Sequence, residues 1–85
     1  MSYTILIEKR ATKEAESIPP TQRKKIDKAI TSLAAQPRPR GCKKLTPKNG
    51  YRIRVGNYRV LYSVDDDTKV VVIYRIKIKG KSTYK

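Results

Sequence analysis

The chain contains no histidine and only one cysteine, Cys42, in 85 residues. Without histidine there is no Ser-His-Asp or Cys-His nucleophile system, no imidazole of the kind most metal sites use, and no histidine pair for acid–base cleavage of RNA. A lone cysteine builds neither a disulfide framework nor a zinc ribbon. With no histidine or acidic orienting group near it in sequence, Cys42 reads as an incidental small residue rather than a nucleophile. Long apolar runs are missing too. Nothing approaches the roughly 20 residues needed to span a bilayer, and no secretory signal precedes the first strand, so the expected compartment is a bacterial or archaeal cytoplasm. Acidic residues are scarce: 7 Asp and Glu stand against 21 Lys and Arg, a formal charge of +14. That imbalance strains a small fold by self-repulsion, and it favours phosphate backbones or an acidic protein partner. The excess is uneven, with +11 in residues 38–85 and +3 in residues 1–37. No cofactor or metal is expected, and the length fits one domain over residues 1–85.

The most informative stretch is GYRIRVGNYRVLYSVDDDTKVVVIYRIKIK, residues 50–79. Tyr51, Ile53 and Val55 alternate with Arg52 and Arg54; Tyr58, Val60, Tyr62 and Val64 alternate with Arg59, Leu61 and Ser63. Strict alternation marks strands with one buried and one wet face. Val55-Gly56-Asn57-Tyr58 reads as a two-residue primed turn. After Asp65-Asp66-Asp67-Thr68 a third strand runs from Lys69 to Lys77, apolar on both faces and so expected inside the sheet. The meander places Arg52, Arg54 and Arg59 on one exposed face. Three guanidinium groups side by side repel one another, so that face suits a polyanion.

Before the meander, residues 2–8 (SYTILIE) predict a strand with apolar groups on both faces, hence a central one. Arg10 to Ile18 predicts a short helix with Ala11, Ala15 and Ile18 on one side, stopped by Pro19-Pro20. Pro20 opens a second helix reaching about Ala35, whose stripe is Ile26, Ala29, Ile30, Leu33 and Ala34. Its Arg23, Lys24, Lys25 and Lys28 lie mostly off the stripe and read as a solvated face in preference to a phosphate-binding one. Residues 36–49 (QPRPRGCKKLTPKN) are a loop by composition, either a basic clasp for RNA or a spacer. The end, from Ile78 to Lys85, is basic. Tyr84 within it either stacks on a base or only pins the tail to the domain. The fold expected is α+β: an N-terminal strand, a two-helix hairpin and a three-stranded antiparallel meander, with the helices packed on one face of a four-stranded sheet.

That element order, with the block YRIRVGNYRVLY at residues 51–62 and the ending IKIKGKSTYK, resembles the RelE/ParE superfamily of toxin–antitoxin toxins over essentially the whole chain. The KGKSTYK ending looks most like the archaeal-type RelE branch. RelE members cleave mRNA in the ribosomal A site, and ParE members poison DNA gyrase on much the same scaffold, so activity has to be argued at the site.

Cleavage by internal attack requires a deprotonated 2′-OH, stabilised charge at phosphorus and a protonated 5′-oxygen. The resemblance implies catalytic roles at Arg52, Arg54, Arg59, Lys79 and Tyr84. Arg52 and Arg54 fall where RelE places two lysines, Arg59 on its transition-state arginine, Lys79 near an arginine proposed as acid, and Tyr84 on a tyrosine that stacks on the base. Candidate RNA-binding residues around them are Lys43, Lys44 and Lys48 in the loop, Lys77 in the third meander strand and Lys81 in the tail. Arg52 and Arg54 depart from the pattern. A guanidinium clamps phosphate bidentately but does not readily accept a proton. The base then falls to a lysine such as Lys79 or Lys81, or the chemistry relies on positioning.

The resemblance therefore implies a ribosome-dependent mRNA endonuclease that inhibits translation, with ribosome and mRNA as partners and a RelB-like antitoxin to neutralise it. Two other readings stay open: a ParE-like gyrase inhibitor, and a non-catalytic basic module that binds RNA or the ribosome.

Overall fold

A computed structural model of the chain describes residues 2–45 and 50–78. Among these, the elements run β1 (Thr4–Ile7), α1 (Lys9–Glu16), α2 (Pro20–Ser32), β2 (Lys43–Lys44), β3 (Gly50–Val55), β4 (Tyr58–Asp65) and β5 (Val70–Ile78). The strands form one mixed sheet in the order β1-β5-β4-β3-β2. The α+β class, the helix pair and the antiparallel meander match the sequence reading; the sheet differs from it in three ways.

First, there are five described strands rather than four, because Lys43 and Lys44 in the expected loop pair with Arg52 and Tyr51 of β3. Second, β1 is an edge strand, not a central one. It pairs only with β5, in parallel, Thr4 to Val70 through Ile7 to Ile73. Its second face is open, with Leu6 52% exposed, and Ile7, at the strand end on the face of Ile5, is 45% exposed. β5 is the strand that lies inside, as its two apolar faces suggested. Third, β5 is not continuous in register. Leu61 lies opposite Arg75 but Tyr62 opposite Ile73, which leaves Tyr74 as a bulge. A bulge adds one residue and so reverses the alternation beyond it. Val71 and Ile73 face the core before it, and Ile76 does so after it.

Smaller differences lie at element ends. α1 starts at Lys9 and stops at Glu16, and α2 stops at Ser32, three residues before Ala35. Pro20 does occupy the first turn of α2. β5 starts at Val70 because Lys69 adopts φ 60°, a left-handed value that ends a strand. The β3–β4 turn has positive φ at Gly56 (60°) and not at Asn57, the type II′ pattern with glycine first.

Helix α1 packs on β5 and α2 on β3. Ala11, Ile18, Ile26, Ile30 and Leu33 meet Tyr51, Ile53, Val60, Tyr62, Val64, Val71, Ile73 and Ile76 in one core. The described residues bury no charged side chain completely, which leaves the opposite sheet face to carry the cations.

Polar contacts join parts far apart in sequence. Beyond Ile73, β5 has no β1 residue beside it, and the Glu14 carboxylate takes over that edge: Oε1 accepts the Ile76 N–H (2.7 Å) and Oε2 accepts Arg75 Nε (2.9 Å). The loop after α2 is held by Arg38. Its guanidinium donates to both Asp66 carboxylate oxygens (2.8 and 3.2 Å) and to the Tyr51 hydroxyl (2.8 Å), and it lies 5.1 Å from the Tyr51 ring centroid. Tyr3 donates to Asp66 Oδ1 (2.7 Å), and the buried Tyr62 hydroxyl donates to the Pro37 carbonyl (2.7 Å). Burial pushes the Tyr62 pKa up, which keeps it a donor.

Glu14→Ala strips the partner from the Ile76 amide and from Arg75. It should lower the unfolding free energy by about 1–3 kcal/mol in urea titrations, with Glu14→Gln less affected because its amide oxygen still accepts. An Ala variant as stable as wild type would show that water replaces the carboxylate at that edge. The bonds from Arg38 and then Tyr3 hold the Asp66 carboxyl below its usual range. A depressed folded pKa gives stability that is present above the unfolded value of about 3.9 and is lost as pH falls through the folded value. Thermal unfolding should therefore show wild type losing more stability than Asp66→Asn as pH drops below about 4. Parallel curves would dissociate Asp66 from acid unfolding.

Candidate nucleic-acid interface

Opposed residues in paired strands point to the same face. Opposite the core, the register gives two successive rows. Arg54, Arg59 and Lys77 form the first across β3, β4 and β5; Lys43, Arg52, Leu61 and Arg75 form the second across β2 to β5. Arg52, Arg54 and Arg59 thus share one face, as the alternation predicts. Lys43 and Lys77 join them. Lys77 does so because of the Tyr74 bulge; in unbroken alternation it would share the face of Ile73.

The pairing brings like charges close. In a two-residue hairpin the flanking pair, Val55 and Tyr58, exchanges the backbone hydrogen bonds, so the next pair, Arg54 and Arg59, is the non-bonded kind with Cα atoms about 4.5 Å apart. Like charges in that position destabilise a sheet. Among the described residues, the only carboxylate paired with either row is Glu14, which engages Arg75. Arg59 sits at the centre, half-buried, and its Nε has no hydrogen-bond partner among the described residues. Leaving such a donor unmet costs about 1–3 kcal/mol. A phosphate oxygen reaching this guanidinium would meet a partly desolvated group, where a charge-assisted bond is strengthened.

The other candidates divide. Lys44 is opposite Tyr51, so it projects to the helix side rather than to the arginine face. Lys48, Lys79, Lys81 and Tyr84 lie outside the described residues. Cys42 is half-buried against the core. Of the loop cations, Arg38 is neutralised by Asp66, while Lys43 faces a cleft of ≈ 290 Å³ lined by Gly41, Lys43, Arg52 and Arg54. A second cleft, of ≈ 310 Å³, shares Gly41 and Arg54 and adds Arg40, Pro39, Ile53, Ala29 and Ser32. Arg40 was not singled out from the sequence, although it sits in a proline-stiffened run that limits where its backbone can go. Lys24, Lys25 and Lys28 are exposed on α2.

The face can grip a phosphate at several points. Its guanidinium groups cannot readily take a proton from a 2′-OH. Among the described residues no cluster of His, Cys, Asp or Glu could hold a metal ion, and no helix is long and apolar enough to cross a membrane.

An α+β chain of this topology has known counterparts. Residues 5–81 match the family described as the ParE toxin of the type II toxin–antitoxin system parDE, and the chain belongs to the RelE/ParE superfamily of type II toxins. A Methanocaldococcus jannaschii protein named "Putative toxin RelE1" is 32% identical, in an alignment spanning 100% of this chain and 98% of that one. Among solved structures, the archaeal RelE–RelB complex from Pyrococcus horikoshii OT3 is similar at 31% identity and TM-score 0.83, covering 96% of this chain and 100% of the other. The isolated E. coli RelE toxin is similar at 25% identity and TM-score 0.84, covering 96% and 89%. Within the superfamily, this chain is a toxin of the RelE family.

If the arginine rows are kept for a ligand rather than for the fold, relieving the closest repulsion should stabilise the free protein. Arg54→Thr is expected to raise the urea midpoint by a few tenths to about 1 kcal/mol equivalent at low salt. The gain should shrink near 0.5 M salt, where screening is short-ranged. Loss of stability at low salt would mean that the Arg54 stem packs more than its charge repels.

Proposed function

We propose that the arginine face is the RNA-cleaving site of a ribosome-dependent mRNA endonuclease, acting in the ribosomal A site and halting translation in the cytoplasm. The observation that carries this reading is the direct juxtaposition of Arg54, Arg59 and Lys77 beside Lys43 and Arg52, with no carboxylate among the described residues to neutralise them. Arg52, Arg54 and Arg59 hold the scissile phosphate and stabilise the charge that builds on it. Lys79 donates to the leaving 5′-oxygen and Tyr84 stacks on the base. Proton removal falls to a second lysine, Lys81, or to Lys79 itself as a relay that takes the 2′-OH proton and passes it to the 5′-oxygen, assisted by in-line positioning of the 2′-OH. Positioning alone can supply up to about 7–11 kcal/mol in favourable cases. A ribosome that presents the mRNA in a fixed geometry suits a site rich in phosphate grips and poor in bases.

The same positive charge calls for a neutralising partner. The Pyrococcus relative was solved as a RelE–RelB complex, which supports a RelB-like antitoxin with acidic and apolar segments that fold on binding. A second reading draws support from the family match, whose description is that of a ParE toxin: the chain would then inhibit gyrase without cutting RNA.

Primer extension on a defined mRNA, with and without translating ribosomes, separates the two. Cuts within A-site codons should need ribosomes, and Arg59→Ala should lower cutting by roughly 10²–10³-fold, the range for removing one donor from a developing charge. Circular dichroism should stay unchanged, because Arg59 faces away from the core. Uncut mRNA alongside blocked supercoiling by gyrase would select the second reading. Failure of both, with salt-sensitive RNA binding, would leave a non-catalytic module.

A further inference from the structure

Strand β2 accompanies β3 only at Lys43 opposite Arg52 and Lys44 opposite Tyr51, so among the described residues β3 has an open edge from Ile53 onward. A strand's N–H and C=O groups point to alternate sides with period two. The Gly50 carbonyl faces the β2 side, where it accepts the Leu45 N–H (2.9 Å). Arg54, four residues on, therefore turns its own N–H and C=O to that side, past the end of β2. Neither has a backbone partner among the described residues. Arg54 itself lines the ≈ 310 Å³ cleft between this edge, α2 and the loop.

We propose that this cleft is a nucleotide subsite for single-stranded RNA, next to the arginine rows. The base lies against Ala29, Pro39 and Ile53, its edge meets the Arg54 N–H and C=O, and the Arg40 and Arg54 guanidinium groups hold the attached phosphate. The proposal rests on the RNA reading of the arginine face and extends the bound strand by one position.

Three features support it. The charge is available: Arg40 is exposed and forms no ion pair among the described residues, whereas Arg38, two positions earlier, is locked to Asp66. The two clefts adjoin, because Gly41 and Arg54 line both. At Gly41, which has φ 95°, nothing lies within 4 Å of where a Cβ would stand, so the space beside this shared residue is open. The chemistry also matches, since single-stranded bases are recognised by an apolar or aromatic wall together with hydrogen bonds to their edges. A peptide strand added to this edge is the rival occupant. It would need a run of unpaired backbone groups, and β3 ends one residue after Arg54.

The test measures fluorescence anisotropy of a labelled, non-cleavable 2′-deoxy-substituted hexauridylate with the full chain, alongside NMR of the Arg54 amide during titration with uridine 5′-monophosphate. Arg40→Ala removes the phosphate contact and Ala29→Leu fills the cleft. Each should weaken the hexamer by about tenfold, the loss of one charge-assisted bond or its equivalent, and the Arg54 amide should shift in wild type but not in Ala29→Leu. Both variants binding within about twofold of wild type, with Arg59→Ala weakened, overturns the subsite and leaves the arginine face standing. A loss with Arg40→Ala but none with Ala29→Leu overturns the base pocket and so the subsite as stated. A wild-type protein that binds no oligonucleotide overturns the subsite, whereas ribosome-dependent cutting in the primer-extension assay decides the arginine face separately.

Discussion

The structure depends on the register between β3, β4 and β5. Side chains alternate with period two, so one face of these strands carries Tyr51, Ile53, Val60, Tyr62 and Val64 into the core while the other carries Arg52, Arg54 and Arg59 outward. A slip of one residue would drive three guanidinium groups under the helices and expose the apolar set. The core and the cationic face are therefore two sides of one constraint. The burial that holds the sheet also overcomes the repulsion between Arg54 and Arg59, and the Gly56 turn sets the register of both.

Within this frame the cations fall into two groups. Arg38 and Arg75 each end on a carboxylate, Asp66 and Glu14. They tie the post-helix loop and α1 to the sheet, so their work is structural. Arg52, Arg54 and Arg59, with Lys43, Lys77 and Arg40, have no such partner among the described residues and gather on one face or at one edge. Net charge does not distinguish the groups; the position of the few acidic side chains does. Asp66 is placed to meet Arg38 by a turn in which Asp65 Oδ1 accepts the N–H groups of Asp67 and Thr68. Thus the acidic run DDD helps hold the basic loop, although the two are more than twenty residues apart.

The β5 bulge links fold to site most directly. Tyr74 stands out of register, and this single extra residue returns Ile76 to the core while sending Lys77 to the row of Arg59. The change of phase is faintly present in the sequence, where apolar positions shift from Val71 and Ile73 to Ile76 and Ile78. A run that is apolar on both faces hides it, because either phase then fits.

Alternation in residues 51–64 was enough to give the meander, its turn, the buried tyrosines and the shared face of the three arginines, because period two is a local property of the chain. Helix stripes and Pro19-Pro20 similarly gave the two helices to within a few residues. The place of β1 was not legible: four apolar-rich residues fit an edge or the middle of a sheet equally, and only parallel pairing with β5, 66 residues away, decides. Nor were the short β2, the capture of Arg38 and Arg75, or the open edge at Arg54 legible. Each is set by which distant segment reaches a given strand edge or cation. The sequence alone determined the periodicity, the charge and the chemistry available. The tertiary structure decided which charges were neutralised and which remained free for a ligand, because neutralisation depends on distance in space and not on distance along the chain.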